Sequence, residues 1–265
     1  MSIEEQARGP RSRKTVTVRG LVLGAGLPKI CTPIGGRTEA EIFEKLPEAL
    51  AAGPDLLEWR ADDFADLLVQ DKLCRLLERL RQALPEKLPL LFTVRSRAEG
   101  GNFDGDADAY AHVGSIALES GCPDLIDFEL LTLSEAVLKR LLLRASERNI
   151  RSIVSSHDFD RTPPEDVMLG RLMRMQALGA DLPKLAVMPE TPRDVLRLLS
   201  VTEQFTSAYA KGPFITMSMG RLGLVSRLCG ECFGSALTFG AAGFVSAPGQ
   251  PGVQELREAL QLLHA

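Results

Sequence analysis

Arg151-Ser152-Ile153-Val154-Ser155-Ser156-His157 and Pro183-Lys184-Leu185-Ala186-Val187-Met188 are two short apolar runs that predict buried strands. Between them, Glu165–Leu178 spaces its apolar residues three and four apart, which indicates an amphipathic helix. A strand, a helix and a strand in this order form a right-handed unit whose two strands run parallel. This stretch therefore predicts a parallel sheet covered by helices.

The same alternation repeats along the chain. Further strands are predicted at residues 29–34, 55–62, 89–95, 125–130, 213–219 and 242–247. Helical spacing predicts helices at residues 39–52, 65–84, 107–120, 134–148, 191–209, 222–240 and 253–263. Eight strand-helix units in about 250 residues are typical of an α/β (β/α)8 TIM barrel. A doubly wound open sheet is the alternative, but no Gly-x-Gly-x-x-Gly motif follows the first predicted strand.

A β-hairpin is predicted ahead of the first strand-helix unit. Thr15-Val16-Thr17-Val18 and Leu21-Val22-Leu23 flank the turn residues Arg19-Gly20. We expect this N-terminal β-hairpin to close the bottom of the barrel. Residues 1–13 are polar and are expected to form a flexible leader, whereas residues 14–265 are expected to form one single barrel.

The composition is that of an ordinary globular protein. The chain has 265 residues, is 45% hydrophobic and 25% charged, and carries a net charge of −4 without a basic block, so no nucleic-acid partner is expected. No apolar stretch reaches the length of a membrane span, and the polar start argues against a signal peptide. The five scattered cysteines favour a reducing, cytoplasmic location.

Lys184 is the first candidate for chemistry, because it lies inside an apolar run bounded by prolines. A desolvated ammonium is disfavoured, so burial shifts the pKa of a lysine down. A neutral amine is the nucleophile that forms an imine with a ketone or an aldehyde. The alternative is a lysine at a strand end with its charged head in solvent.

Other ionisable residues also end predicted strands, where the active site of such a barrel lies. They are Glu58, Arg60, Asp62, Arg95, Asp127, Glu129 and His157. Each alone has the alternative of a surface charge or a structural ion pair, but their convergence at one end predicts a site. An imidazole at a strand end can serve as both acid and base, or can be a hydrogen-bonded structural histidine. An imine-forming amine beside a proton shuttle indicates chemistry at a carbon next to a carbonyl.

Several motifs together resemble one known family. They are Glu58-Trp59-Arg60, Phe92-Thr93-Val94-Arg95-Ser96, Glu99-Gly100-Gly101, Ser155-Ser156-His157-Asp158-Phe159, Pro183-Lys184, Ile215-Thr216-Met217-Ser218-Met219-Gly220, Ser226-Arg227, Phe233-Gly234-Ser235 and Ser246-Ala247-Pro248-Gly249-Gln250. The chain is similar in these to type I 3-dehydroquinate dehydratase, with the motifs in order over residues 15 to 264.

The resemblance implies a hydro-lyase of the shikimate pathway, which leads to chorismate and aromatic amino acids. Lys184 matches the lysine that condenses with the C3 ketone of 3-dehydroquinate. His157 matches the histidine that removes a C2 proton and then protonates the departing C1 hydroxyl. Neither a metal nor another cofactor is expected, because the iminium itself acidifies the neighbouring C–H.

The resemblance also implies a set of binding residues. Arg227 matches an arginine that binds the substrate carboxylate, a task that suits a guanidinium. The other implied substrate-binding residues are Glu58, Arg60, Arg95, Ser246 and Gln250, with Glu99 and Met217 in supporting positions. Some relatives carry a substrate-contacting serine at the end of strand one, where this chain has Pro33, and Thr32 or a backbone group is a possible substitute. A homodimer is expected from the resemblance.

Two rival functions remain open at this point. One is another imine-forming barrel, such as a class I aldolase, although no glycine-rich phosphate loop follows strands seven or eight. The other is a non-catalytic binding barrel, against which the retention of both Lys184 and His157 argues. Cys229-Gly230-Glu231-Cys232 has the spacing of a redox motif, but it lies within a predicted helical stretch, and no second pair completes a zinc site.

Overall fold

The structure is a computed structural model that describes residues 14–264. The strands in this range are β1 Val16–Val18, β2 Leu21–Leu23, β3 Lys29–Gly35, β4 Leu56–Arg60, β5 Leu90–Thr93, β6 Leu125–Glu129, β7 Arg151–Asp158, β8 Leu182–Val187, β9 Ile215–Ser218 and β10 Leu237–Phe239. The α-helices are α1 Glu39–Ala51, α2 Gln70–Ala83, α3 Ala107–Ser120, α4 Glu135–Glu147, α5 Glu165–Leu178, α6 Pro192–Gln204, α7 Leu224–Leu228, α8 Gly230–Phe233 and α9 Val253–His264. The predicted leader, residues 1–13, lies outside the described residues.

Eight of the strands form one parallel sheet in the order β10-β3-β4-β5-β6-β7-β8-β9. The two end strands approach each other where the Ala236 amide donates to the carbonyl oxygen of Phe214 at 2.9 Å. Ser235 adds a side-chain link, because its Oγ accepts from the Thr216 amide at 3.1 Å. The sheet is thus nearly closed into a TIM-type barrel surrounded by helices, and the predicted fold class is confirmed.

The two faces of the sheet bury different kinds of residues. Outward side chains such as Trp59, Phe92 and Phe128 pack in the large apolar cluster between strands and helices. Inward side chains near the strand starts form a second apolar cluster, which includes Leu56 and Leu91. The period-2 alternation of strands places every second residue inside the barrel. Inward side chains nearer the ends of the same strands therefore lie toward the opposite opening of the barrel.

The N-terminal hairpin closes the bottom of the barrel, as predicted. β1 pairs antiparallel with β2, and the hairpin turns at Arg19 and Gly20, which both have positive φ. Its buried residues Val16, Val18 and Leu23 belong to the inner cluster formed by the strand starts. The hairpin therefore fills the end of the barrel opposite the mouth with apolar side chains.

The prediction for the last strand was wrong. The eighth barrel strand is β10, not residues 242–247, and it lies inside the stretch predicted as a helix over residues 222–240. Gly234 ends α8 at φ 108°, a backbone conformation that glycine adopts readily, and the chain enters the sheet three residues later. A strand of three residues is too short for its alternation to show against the preceding helical pattern. Residues 242–247 instead form a loop at the mouth.

No helix within residues 14–264 combines the length and the apolar character needed to cross a membrane.

Candidate active site

A cavity of about 390 Å³ opens at the mouth formed by the strand ends. Nine of the ten residues predicted from the sequence line it, namely Glu58, Arg60, Arg95, Glu99, His157, Lys184, Met217, Ser246 and Gln250. The tenth, Arg227, does not line this cavity. Of the strand-end residues expected to converge, Asp62, Asp127 and Glu129 do not line the cavity, whereas Glu58, Arg60, Arg95 and His157 do.

Lys184 lies on β8 with only 4% of its surface exposed, which rules out the alternative of a lysine with its head in solvent. Its Nζ donates to Asp127 Oδ2 at 3.1 Å. The same nitrogen lies 4.5 Å from the centre of the Phe239 ring, so an aromatic face covers the amine. Sequence analysis included Asp127 among the converging strand-end residues without predicting its bond to Lys184, and it did not assign Phe239 to the site.

Asp127 lies on β6 below the cavity and accepts hydrogen bonds from three side chains. Lys184 is the first, Arg95 Nη2 donates at 3.0 Å, and Ser155 Oγ donates to the second oxygen at 2.5 Å. Burial opposes ionisation of this carboxyl, but the charges of Arg95 and Lys184 outweigh it and hold its pKa below the usual value. A fixed negative charge therefore lies beside the lysine nitrogen.

Arg95 is almost fully buried and is occupied by protein groups. Besides Asp127, its Nη1 donates to Glu129 Oε1 at 3.0 Å and to Ser155 Oγ at 2.9 Å. The same Nη1 lies 3.4 Å from Glu99 Oε2. The guanidinium thus ties two carboxylates of β6 to Glu99 in the segment after β5, which suits an organising role for Arg95.

His157 and Glu99 form a hydrogen-bonded pair. The ring Nδ1 lies 2.8 Å from Glu99 Oε2, and the backbone amide of His157 donates to the same oxygen at 3.0 Å. Burial, together with the positive charges of Arg95 and Lys184, lowers the pKa of His157 well below its usual value. Burial, reinforced by the charge of Glu129, raises the pKa of Glu99 to about 8. The imidazole is therefore neutral near pH 7, and Nε2 remains for a ligand.

The loop of residues 246–250 is held across the mouth by hydrogen bonds. Arg60 Nη1 donates to the Ser246 carbonyl at 3.1 Å, while its Nε and Nη2 make a bidentate pair with Asp62 at 2.9 Å each. Within the loop, the Ser246 amide donates to Gln250 Oε1 at 2.9 Å, and Gln250 Nε2 donates to Ser246 Oγ at 3.0 Å. Arg60 thus connects the sheet to the covering loop.

Arg227, on α7, is 1% exposed and lies behind Met217 rather than in the cavity lining. Its Nη1 lies 3.3 Å from Met217 Sδ and its Nη2 3.4 Å from the Pro248 carbonyl oxygen, so both recorded neighbours are uncharged atoms. Among residues 14–264, its Nε has no hydrogen-bond partner. Burial alone lowers its pKa to about 10. A buried cation with so little compensation favours an anionic ligand nearby.

Pro33, where the resemblance implies a serine in some relatives, lies on β3. Pro33 pairs with Glu58 in the ladder, and Glu58 Oε1 accepts from Thr93 Oγ1 at 2.9 Å. Thr32 is fully buried but does not line the cavity, and its Oγ1 has no partner in the described part of the chain. The idea that Thr32 supplies the missing contact is therefore wrong. The alternation of β3 turns its side chain to the other face.

Within the described range, no group of three or more His, Cys, Asp or Glu side chains is arranged to hold a metal ion. Cys229 and Cys232 are both free thiols.

Comparison with known proteins identifies the family. The sequence profile of type I 3-dehydroquinase matches residues 30–265. The chain belongs to this family. Family membership confirms the expected type I 3-dehydroquinase resemblance and the expected enzyme class, a 3-dehydroquinate dehydratase of the hydro-lyase type. The roles of individual residues remain predictions.

Individual 3-dehydroquinate dehydratases are similar to this chain over nearly their whole length. The 3-dehydroquinate dehydratase of Clostridium novyi (strain NT) is 44% identical over 95% of this chain and 98% of its own length. That of Bacillus licheniformis is 45% identical over 95% and 98%. The crystal structure of the Clostridium difficile type I enzyme, which contains covalently modified comenic acid, superposes with a TM-score of 0.91 at 44% identity, covering 95% of this chain and 98% of that one.

Proposed function

We propose that the chain dehydrates 3-dehydroquinate to 3-dehydroshikimate through an imine on Lys184, with His157 as general acid and base. The observation that carries the proposal is the placement of a buried lysine amine and a neutral imidazole in the lining of one cavity. Family membership supports the substrate. The activity belongs to the shikimate pathway, and we propose that the protein works as a cytoplasmic homodimer.

The bond changes follow from these two groups. The Lys184 amine adds to the C3 carbonyl carbon, and uptake of one proton with loss of one water gives the iminium. His157 then takes a proton from C2 while the electrons of the broken C–H bond form C2=C3 and neutralise the nitrogen. The resulting enamine expels the C1 hydroxyl, which leaves as water with the proton from His157. Hydrolysis of the new iminium consumes one water and frees the amine.

The neighbouring residues support these steps in different ways. Glu99 fixes the imidazole ring through Nδ1, so that Nε2 is the nitrogen that exchanges the proton. Glu58, Arg60, Ser246 and Gln250 offer polar groups to the ring hydroxyls of the substrate. Because its guanidinium is already shared among protein groups, we assign an organising role to Arg95, whereas the less compensated Arg227 suits the substrate carboxylate.

One experiment separates this proposal from the two rivals. Added 3-dehydroquinate is expected to give rising enone absorbance, because dehydration conjugates the new double bond with the ketone. A class I aldolase would cleave a carbon–carbon bond and give no enone. A binding barrel would leave the substrate unchanged. If no enone absorbance appears at high enzyme concentration, the proposed activity is refuted.

Arg227→Ala is expected to raise KM for 3-dehydroquinate by roughly 10- to 100-fold, with a smaller effect on kcat. Hydrogen bonds to charged groups contribute about 1.5–3 kcal/mol, and this one is assigned to substrate binding. Steady-state kinetics measure the effect, with Arg140→Ala on the exposed face of α4 as the matched control. Arg227→Lys keeps the charge and is expected to recover part of the affinity. An unchanged KM in a folded Arg227→Ala variant would contradict the assignment.

A further inference from the structure

The carboxylate of Asp127 contacts the nitrogen on which the proposed imine forms. Its Oδ2 lies 3.1 Å from Lys184 Nζ, and both side chains are almost fully buried. Lys184 lines the cavity and Asp127 does not, so the carboxylate contacts the lysine from outside the ligand space. A substrate carbon can therefore bond to the nitrogen while the carboxylate stays in place.

The chemistry of the imine defines what a carboxylate at this position can do. Condensation of an ammonium with a ketone releases one water and leaves the positive charge and one hydrogen on nitrogen. Only this protonated form accepts electrons well when the C2–H bond breaks. An unprotonated imine is a much poorer electron sink. An opposite charge within about 4–6 Å favours the charged form of an ionisable group by roughly 1–3 pH units.

The structure holds Asp127 rigidly in its charged form. Arg95 Nη2, from the segment after β5, and Ser155 Oγ, from β7, both bond to it, and neither bond involves Lys184. The Phe239 ring covers one side of the amine, and the lysine side chain is only 5% exposed, so little solvent reaches the charge in the absence of a ligand. The carboxylate is thus fixed beside the nitrogen before the substrate binds.

Other charged or titratable groups belong to the same network of interacting charges as this pair. They are Arg95 and Glu99 after β5, Glu58 on β4, Glu129 on β6, His157 on β7, Cys31 on β3 and Tyr110 on α3. Burial raises the pKa of Cys31 and of Tyr110 well above their usual values, so both are neutral near pH 7. Among the carboxylates of the described residues, only Asp127 has a recorded hydrogen bond to Lys184 Nζ.

We propose that Asp127 is the counter-ion that keeps the imine nitrogen of Lys184 protonated while His157 removes the C2 proton. The role rests on the proposed function, because it requires the imine on Lys184. It predicts that loss of the charge at Asp127 spares adduct formation but makes dehydration dependent on protons from solution.

Asp127→Asn tests this role because it changes charge with little change in shape. We expect the alkaline limb of the kcat profile to move toward lower pH by about 1–3 units, with kcat reduced at least about tenfold at pH 8 and recovering as the pH falls. Chemical trapping gives a second readout. Borohydride reduces both forms of an imine, whereas cyanoborohydride reduces mainly the protonated form. The ratio of cyanoborohydride to borohydride adduct at pH 8 should therefore fall in the variant.

Glu129→Gln is the matched control. Glu129 lies two residues further along β6, is fully buried and contacts the same guanidinium of Arg95, but makes no recorded bond to Lys184. A merely structural effect would lower kcat at every pH and leave the trapping ratio unchanged. If Asp127→Asn does not fold, Ser155→Ala removes one anchor of the carboxylate and should move the profile in the same direction by a smaller amount.

The outcomes are distinguishable. If the wild-type protein gives no borohydride adduct on Lys184, the proposed function fails. If the wild type is trapped, an unchanged profile and trapping ratio in Asp127→Asn overturn the counter-ion role, and so does an equal shift in Glu129→Gln. Where only Ser155→Ala can be measured, an unmoved profile overturns it. A shift confined to the Asp127 and Ser155 variants, with trapping on Lys184 intact, supports it.

Discussion

Lys184→Ala is expected to abolish the covalent adduct and reduce turnover by on the order of 10⁴- to 10⁶-fold, the scale of losing the nucleophile in a covalent mechanism. The amine is the proposed attacking group, and it is enclosed by Asp127 and the Phe239 ring. Mass spectrometry after borohydride treatment measures the effect. Wild-type protein should gain the mass of reduced substrate on Lys184, and the variant should gain none.

The controls for this prediction address position and stability. Lys139→Ala removes an exposed lysine of α4 and should leave both adduct and turnover intact. Lys184→Met fills the space of the buried stem without supplying an amine, so it separates loss of chemistry from loss of packing. If either Lys184 variant retains the substrate mass after reduction, the attacking group has been assigned to the wrong residue.

His157→Ala is expected to lower kcat by roughly 10²- to 10⁴-fold, the usual contribution of a positioned acid and base. The adduct should still form, because the amine is untouched, so borohydride should trap substrate that has not yet lost water. Single-turnover measurements with mass detection resolve the two steps. His112→Ala, on the exposed side of α3, is the matched control. Rapid turnover by His157→Ala would refute the assigned role.

The burial of His157 also sets the direction of the pH dependence. Because burial and three nearby cations lower its pKa, the imidazole stays in the base form to pH values well below its usual range. Abstraction of the C2 proton is therefore retained as the solution is acidified past the usual pKa of histidine, and is lost only when the buried ring finally takes up a proton.

Seven of the eight barrel strands could be predicted from the sequence, because each has a run of apolar residues between recognisable helices. β10 could not, since Leu237-Thr238-Phe239 is short and follows two helical turns. The start of α2 was also misplaced. Its predicted first residue, Ala65, donates its amide to the Arg37 carbonyl at 2.9 Å, so a tertiary contact holds residues 65–69 outside the helix.

The cavity lining was largely predictable, because alternation and strand-end position suffice to place residues such as Glu58 and His157. The residues that contact the Lys184 nitrogen could not be predicted in the same way. Asp127 was recognised as a strand-end carboxylate, but its bond to Lys184 spans 57 residues and depends on how the barrel closes. Phe239 was missed together with its strand. Arg227 came only from the resemblance, and its place behind Met217 could not be derived from spacing.

The position of Arg95 ties the two halves of the chemistry to a single side chain. It contacts Asp127, which bonds the lysine, and Glu99, which bonds the histidine. Residues that share a network give non-additive effects when they are substituted together. A substitution beside Lys184 is therefore expected to change the surroundings of His157 as well. The two parts of the site can then diverge in evolution only through coordinated substitutions.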